Sequence, residues 1–402
     1  MTTTEKALIW IYGVIVAIWP IRLIVLRFIA ARIDWVSPSS PEYAGADPPL
    51  VTAILPAKDE EENILACLES LLGQSYPRLE VIVADDRGVD RTAAIARGVA
   101  ERDPRARVLS ITELPPGWTG KTHALHRAAP LAGGSWLWFI DADTRHHPRS
   151  LSVMMELARV HEASLVSLLP EQRLETFWER IVQPIAGVTL MQSFPTGRIH
   201  DPRSACAFAN GQFILIERSA YESAGGHQAV RDRFVEDIAL ATRVKRLDRP
   251  IRLAFCRGLV DCRMYSTLGQ LVRGWSRILY DALDRDGWRL FLKLLDPIIF
   301  CQSGHVALAA ALALLAWNPS NDFARILLLL ATIHHILMYF VFRQVHAISS
   351  PRKGPAAWFP LGNLIVVVIL ARALASTFTG RVAWRGDLYG PQGASLEENQ
   401  GS

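Results

Sequence analysis

Trp136-Leu137-Trp138-Phe139-Ile140-Asp141-Ala142-Asp143-Thr144 joins a short aromatic and aliphatic run to two aspartates separated by a single alanine. An apolar run of about four to eight residues bounded by turn residues reads as a buried strand. The two aspartates then stand at its C-terminal end. The same pattern occurs upstream in Val51–Ala57 (VTAILPA), Val81–Asp85 (VIVAD) and Arg107–Ser110 (RVLS). Between the first two of these, Ile64, Leu65, Leu68, Leu71 and Leu72 recur at helical spacing, and Thr92–Ala100 is Ala-rich with Ile95, Ala96 and Val99 on one side. Strand–helix alternation predicts an α/β fold with a mostly parallel sheet and helices on both faces.

In such an open sheet the ligand crevice lies beyond the C-terminal ends of the strands, so acids placed there carry more weight than acids on helix surfaces. Asp85-Asp86 closes VIVADD, Asp141-Ala142-Asp143 closes WLWFID, and Glu236-Asp237 opens the helical stretch EDIALATRVKRL. Two carboxylates at a strand end suit an oxygen-seeking cation such as Mg²⁺ or Mn²⁺, which can neutralise a diphosphate. A capping role for the helix that starts near Pro148 fits the same aspartates. Glu236-Asp237 also reads two ways: acids in a first helical turn gain ~0.3–1 kcal/mol from the macrodipole, and a carboxylate aimed into a cleft can act as general base. Gly117–Lys121 (GWTGK) is a Gly-flanked loop before a helix, able to bring backbone N–H groups and one Lys toward phosphate. Its spacing is not that of a P-loop.

The chain's averages hide its organisation. Half of its residues are hydrophobic and 20% are charged. Ala7–Leu26 has about the 20 residues needed to cross roughly 30 Å of hydrocarbon, and its flanks fit a signal anchor better than a cleaved signal peptide. Further apolar runs at Pro297–Trp317, Phe323–Phe342 and Phe359–Phe378 are each long enough to span. Arg22 near the end of the first run and Arg27 and Arg32 beyond it stand against Lys6 alone before it, which predicts that the region after it is cytoplasmic. The loop with Arg343, Arg352 and Lys353 is expected on the same side, and four spans then put the C-terminus outside. His334-His335 falls inside the third run, where interhelical packing is favoured over a place on an acceptor path. Forty-three Lys and Arg against 39 Asp and Glu leave a net +4, which gives no reason to expect a nucleic-acid partner. Five cysteines without a CxxC pair fit reduced thiols rather than disulfides or a zinc site. The expected organisation is an anchor at 7–31, a linker at 32–49, a catalytic α/β domain at 50–262, interfacial amphipathic helices at 263–294, transmembrane helices at 295–379 and a tail at 380–402.

The ordered pieces ILPAKDEEENI, VADDRGVDRT, PPGWTGKTHAL, FIDADTRHHP, FANGQFILIERSAYESAGGH and VEDIALATRVKR together resemble membrane-anchored family 2 glycosyltransferases of the GT-A fold, a Rossmann-like architecture. GWTGK, FANGQF and GGH are most similar to the hopene-associated and carotenoid-type lipid glycosyltransferases. The resemblance implies that Asp86, with Asp85, contacts the nucleotide base, and that Asp141 and Asp143 form the DxD pair, with Asp143 the expected ligand of a Mg or Mn ion at the sugar diphosphate. It implies Asp237 as catalytic base beside Glu236. It places Pro56, Glu60, Lys121, Asn210, Gly211 and Gln212 with the donor. The activity implied is inverting transfer from a nucleoside diphosphate sugar, of UDP type, to a hydroxyl of a membrane lipid or terpenoid, by a multi-pass protein of the inner or plasma membrane.

Two departures from the family pattern stand out. Processive synthases carry Q-x-x-R-W, whereas here Gln270-Leu271-Val272-Arg273-Gly274-Trp275 has one residue inserted. These residues read either as an acceptor site or as a cationic helix on the bilayer surface with Trp275 at the interface. VADDRGVD also departs from the common version, which has Gly or Ser soon after the acid pair, and the departure bears on donor base preference. The alternatives to lipid glycosylation are a processive polysaccharide synthase and a non-catalytic membrane protein that binds nucleotide sugars.

Overall fold

The computed structural model describes residues 1–349 and 355–379 with the short segments 382–384, 387–389 and 395–396. Arg352 and Lys353, expected from the sequence on the cytoplasmic side, lie outside the described residues. The chain forms α1 (Thr3–Ala30), β1 (Trp35–Val36), β2 (Val51–Ala57), α2 (Ile64–Leu72), β3 (Leu79–Asp86), α3 (Thr92–Ala100), β4 (Ala106–Ile111), α4 (Gly120–Ala128), β5 (Trp136–Phe139), β6 (Thr144–His146), α5 (Ser150–Val160) and β7 (Leu165–Leu169). It continues through β8 (Glu171–Gln172), α6 (Phe177–Met191), α7 (Thr196–His200), β9 (Ile214–Glu217), α8 (Arg218–Ser223), α9 (Glu236–Lys245), β10 (Ile251–Cys256) and β11 (Val260–Cys262). The remaining helices are α10 (Leu268–Ala282), α11 (Gly287–Pro297), α12 (Ser303–Trp317), α13 (Asp322–Ser349) and α14 (Phe359–Thr379). They fall into two compact units. One holds Ile33–Arg173 and Ser193–Met264, the other Met1–Arg32, Leu174–Gln192 and Tyr265–Phe378.

The first unit is built on an eight-stranded sheet in the order β1-β10-β7-β9-β5-β2-β3-β4. Its pairings are parallel except at β9, which runs antiparallel to both β5 and β7. Ile54, Leu55, Ile64, Leu68, Leu71, Ile82, Trp138 and Phe213 are sealed from solvent, which is why the strands read as continuous apolar runs rather than as alternations. β5 stops at Phe139, Ile140 N–H makes a last bond to the Ile54 carbonyl at 3.2 Å, and beyond it the Asp141 carbonyl accepts from both the amide and the hydroxyl of Thr144 in a turn. Because β9 is antiparallel, its first residue, Ile214, pairs with Phe139 at the end of β5. The Asn210–Gln212 turn before it is thereby carried to the edge that bears Asp141 and Asp143. A second sheet, β6-β11-β8, fixes the chain directly after that aspartate pair.

Two boundaries differ from the sequence expectation. The segment expected as a linker contributes β1, which pairs with β10; two apolar residues followed by Ser37-Pro38 are too few to show a period. Within the expected 50–262 domain, Leu174–Gln192 groups instead with the apolar helices.

In the second unit, Thr3–Ala30, Gly287–Trp317, Asp322–Ser349 and Ala356–Thr379 are long and apolar enough to cross a membrane. The second of these begins upstream of the expected span, because α11 runs into α12 through the π-helical turn Ile298–Gln302. Tyr12 and Val16 of α1 pack with Ala307 and Ala311 of α12 and Leu327 and Ala331 of α13. His334 Nε2–H donates to the Phe300 carbonyl at 2.9 Å, leaving Nδ1 to accept from the Tyr12 hydroxyl at 2.9 Å. His335 meets His305 of α12 at 2.8 Å. The histidine pair therefore ties helices together, as favoured from the sequence.

The reading of Trp275 at the bilayer interface is corrected by α10. Thr267 and Gln270 form a capping box: Gln270 N–H donates to the Thr267 hydroxyl at 3.2 Å and the Gln270 carboxamide oxygen accepts from Thr267 N–H at 3.3 Å. Trp275 is buried and its indole N–H donates to Gln183 of α6 at 3.2 Å, while Arg273 is exposed. Two residues of helix span about 200°, so the inserted Gly274 puts Arg273 and Trp275 on opposite faces.

Candidate functional site

The site is assembled where β3 and β5 end and where α4 and α9 begin. Lys121, in the first turn of α4, places its ammonium 2.6 Å from Asp141 Oδ1 and 2.8 Å from Glu236 Oε1. One cation thus links the strand-end aspartate to the first turn of α9. Beside it, Gly211 N–H donates to Asp237 Oδ2 at 2.7 Å, and Ile238 N–H donates to Asp237 Oδ1 at 2.8 Å. A Cβ on Gly211 would come 2.7 Å from Lys121 Nζ and 3.4 Å from both Asp237 Oδ2 and Glu236 Oε1, so a side chain there would have to shift the ammonium. The neighbouring Gln212 is buried, its oxygen accepting from Cys262 Sγ at 3.3 Å.

This geometry decides between the readings left open by the sequence. Helix α5 starts at Ser150 with Arg149 as N-cap, and no side chain caps it, so Asp141 and Asp143 are not capping residues. Val235 is the N-cap of α9 and makes no side-chain cap bond. Glu236 is engaged by Lys121 and Asp237 by the Gly211 amide. The acids keep the benefit of the α9 dipole, but their partners come from other elements.

The electrostatics follow from the crowding of carboxylates. Burial and then the Glu236 charge raise the Asp237 carboxyl well above the usual carboxylate range, against the pull of Lys121. Glu236 is raised in the same sense, chiefly by burial. For Lys121 burial opposes the ammonium, but Asp141, Glu236 and Asp237 outweigh it and hold the side chain charged.

Asp85 and Asp86 lie buried at the end of β3. Arg87 Nε and Nη2 donate to the two Asp86 oxygens at 2.9 and 3.1 Å. Arg87 holds a left-handed backbone, φ 55°, at the position where the sequence departs from the family pattern. Gly120 abuts this pair, since a Cβ there would strike Asp86 Oδ2. Asp85 Oδ1 is buried without a hydrogen-bond partner, and burial foremost raises this carboxyl. It remains an acceptor for a ligand N–H. Pro56 pairs in register with Ala84 one residue before Asp85. Glu60 is tied into the β2–α2 turn, its carboxylate accepting from the Asn63 amide at 2.9 Å and its own N–H donating to Thr92. Arg87 was missed by sequence reasoning, as were the partners of Lys121. The signal available was a lone cation in a helix's first turn, where the dipole disfavours it.

Among the described residues no group of three or more His, Cys, Asp or Glu side chains could hold a metal ion by itself. Asp141 and Asp143 nevertheless fit one, because Mg²⁺-type ions bind through one or two carboxylates and take remaining oxygens from phosphates. The ammonium already seated on Asp141 confirms that this turn attracts positive charge.

Residues 52–225 match the profile of glycosyl transferase family 2. The chain carries a family 2 glycosyltransferase domain. A 4,4'-diaponeurosporenoate glycosyltransferase of Staphylococcus haemolyticus is 26% identical over 267 residues, 65% of this chain and 69% of that protein. The Staphylococcus aureus (strain MRSA252) enzyme of the same name is 26% identical over 57% of this chain, which spans 60% of its length. A mannosyltransferase from Pyrobaculum calidifontis, solved with GDP-Man and Mn²⁺, shares the fold with a TM-score of 0.58 at 20% identity, covering 92% of this chain and 99% of that one. The family 2 domain therefore has the GT-A fold, and the likeness of fold extends past the 52–225 match.

Proposed function

We propose that this protein transfers a sugar from a nucleoside diphosphate sugar to a hydroxyl of a membrane lipid or terpenoid, with inversion at the anomeric carbon. The observation that carries this reading is the joining of Asp141 to Glu236 and Asp237 around Lys121 and Gly211, which sets a donor-phosphate site against a base. Asp237 takes the acceptor proton. Its carboxylate is oriented by two amide donors and made more basic by burial and Glu236, which is what a hydroxyl acceptor requires. Glu236, held by Lys121, keeps negative charge beside it. Asp85 offers its unmatched oxygen to an N–H of the donor base, in keeping with a UDP-sugar. A divalent cation held by Asp143 and Asp141 would supply electrostatic stabilisation of the departing diphosphate.

A lipid acceptor is supported by the four apolar helices and by the names of the staphylococcal relatives. Multi-pass insertion is supported by the four long apolar helices, and a cytoplasmic family 2 domain by Arg27 and Arg32 at the C-terminal end of the first of them, where only Lys6 stands at the other end. Incubating membranes with labelled nucleotide sugars and resolving the lipid products by mass tests the proposal. Single-sugar lipids are expected. Products with many sugars would favour the processive synthase, and nucleotide binding without turnover the non-catalytic reading.

A further inference from the structure

Lys121 is placed against the field of its own helix. The macrodipole disfavours a cation in the first turn of α4, so its position is dictated by the carboxylates it meets. Its side chain is only 16% exposed, and it lies between Asp141 of one motif and Glu236 of another with the Gly211 backbone closing the third side. Asp141 is also one of the two aspartates suited to a divalent cation. An ammonium 2.6 Å from Asp141 Oδ1 competes with a metal ion for the charge of that carboxylate.

We propose that Lys121 is the resident counter-ion of the donor site, occupying Asp141 while the site is empty and moving onto donor phosphate oxygens when nucleotide and divalent cation arrive together. The inference rests on the nucleotide-sugar reading above. Its consequence is that cation binding depends on nucleotide. Without a diphosphate, an incoming cation must break the Lys121–Asp141 pair and leaves the ammonium with fewer anionic partners. With a diphosphate present, the ammonium gains phosphate oxygens in place of the carboxylate it gave up. Lys121 is a positioning residue for the cation as well as a donor contact.

The test is Mn²⁺ binding to the full-length protein in detergent, read from the electron paramagnetic resonance signal of the free ion, first alone and then with UDP or GDP. Wild-type protein is expected to bind Mn²⁺ weakly alone and more tightly with nucleotide. Lys121→Met is expected to bind Mn²⁺ alone about tenfold more tightly than wild type, ~1.4 kcal/mol, and to lose most of the nucleotide effect. Lys121→Arg keeps the charge and is expected to behave as wild type. Circular dichroism and the thermal midpoint check folding, and Lys121→Gln, with the same expected direction, replaces the Met variant if that does not fold. Equal or weaker Mn²⁺ binding by the folded neutral variant overturns the inference alone. Mn²⁺ binding by neither protein with any nucleotide removes the metal reading of the site, and the inference with it.

Discussion

At Asp237 two backbone amides fix the carboxylate oxygens while burial and the Glu236 charge make it a stronger base than a free aspartate. Removing a positioned base costs ~10²–10⁴ in rate, so Asp237→Asn is expected to lose that factor in sugar transfer while nucleotide binding persists. Near-normal transfer by this variant would take Asp237 out of the mechanism. The base works deprotonated, and its carboxyl is raised, so activity falls as pH drops through a value above the ordinary carboxylate range. A pH–rate profile whose acid limb sits near 4, about where an unperturbed carboxylate titrates, would contradict this. Gly211→Ala pushes a methyl toward Lys121 Nζ and the two acids. A rate loss of about ten- to a hundredfold is expected from such displacement, measured as kcat with donor KM as control. The acids themselves were legible because each closes an apolar strand or opens a helix. Lys121's partners were not, since Asp141 and Glu236 meet it only through the fold.

Among the elements, β9 does most to build the site, for its reversed direction brings Asn210–Gln212 beside the end of β5. The strands β2, β3, β4 and β5 could be read because their apolar runs are bounded by turn residues. The reversal of β9 could not, because a short apolar strand carries no mark of its direction. α10 shows the opposite case: its capping box was present in Thr267-Leu268-Gly269-Gln270 but was read as part of a different motif. Thr267→Ala is expected to lower stability by about 1 kcal/mol, seen as a lower thermal midpoint, with transfer per folded molecule unchanged. Trp275→Ala removes a buried ring bonded to Gln183 and is expected to cost ~3–5 kcal/mol, seen as loss of folded protein. A selective loss of acceptor use in a stable Trp275 variant would instead support its assignment to the acceptor site.

Across the whole chain, the 50% hydrophobic composition is an average over two kinds of unit. The family 2 domain buries an ordinary α/β core, whereas the other unit leaves large residues such as Trp10, Ile24, Val306, Trp317 and Phe378 exposed on helices long enough to span a membrane. That surface is expected to keep the protein in the membrane fraction after an alkaline carbonate wash, and release into the supernatant would count against membrane spanning. The central claim is that a family 2 domain in this chain glycosylates a lipid through Asp237. It is tested most directly by following label from a nucleotide sugar into the organic-solvent extract of membranes that contain the wild-type or the Asp237→Asn protein. The account predicts labelled lipid with wild type and a loss of at least about a hundredfold with the variant. Equal labelling by both proteins, or none from any donor with the wild type, would contradict it.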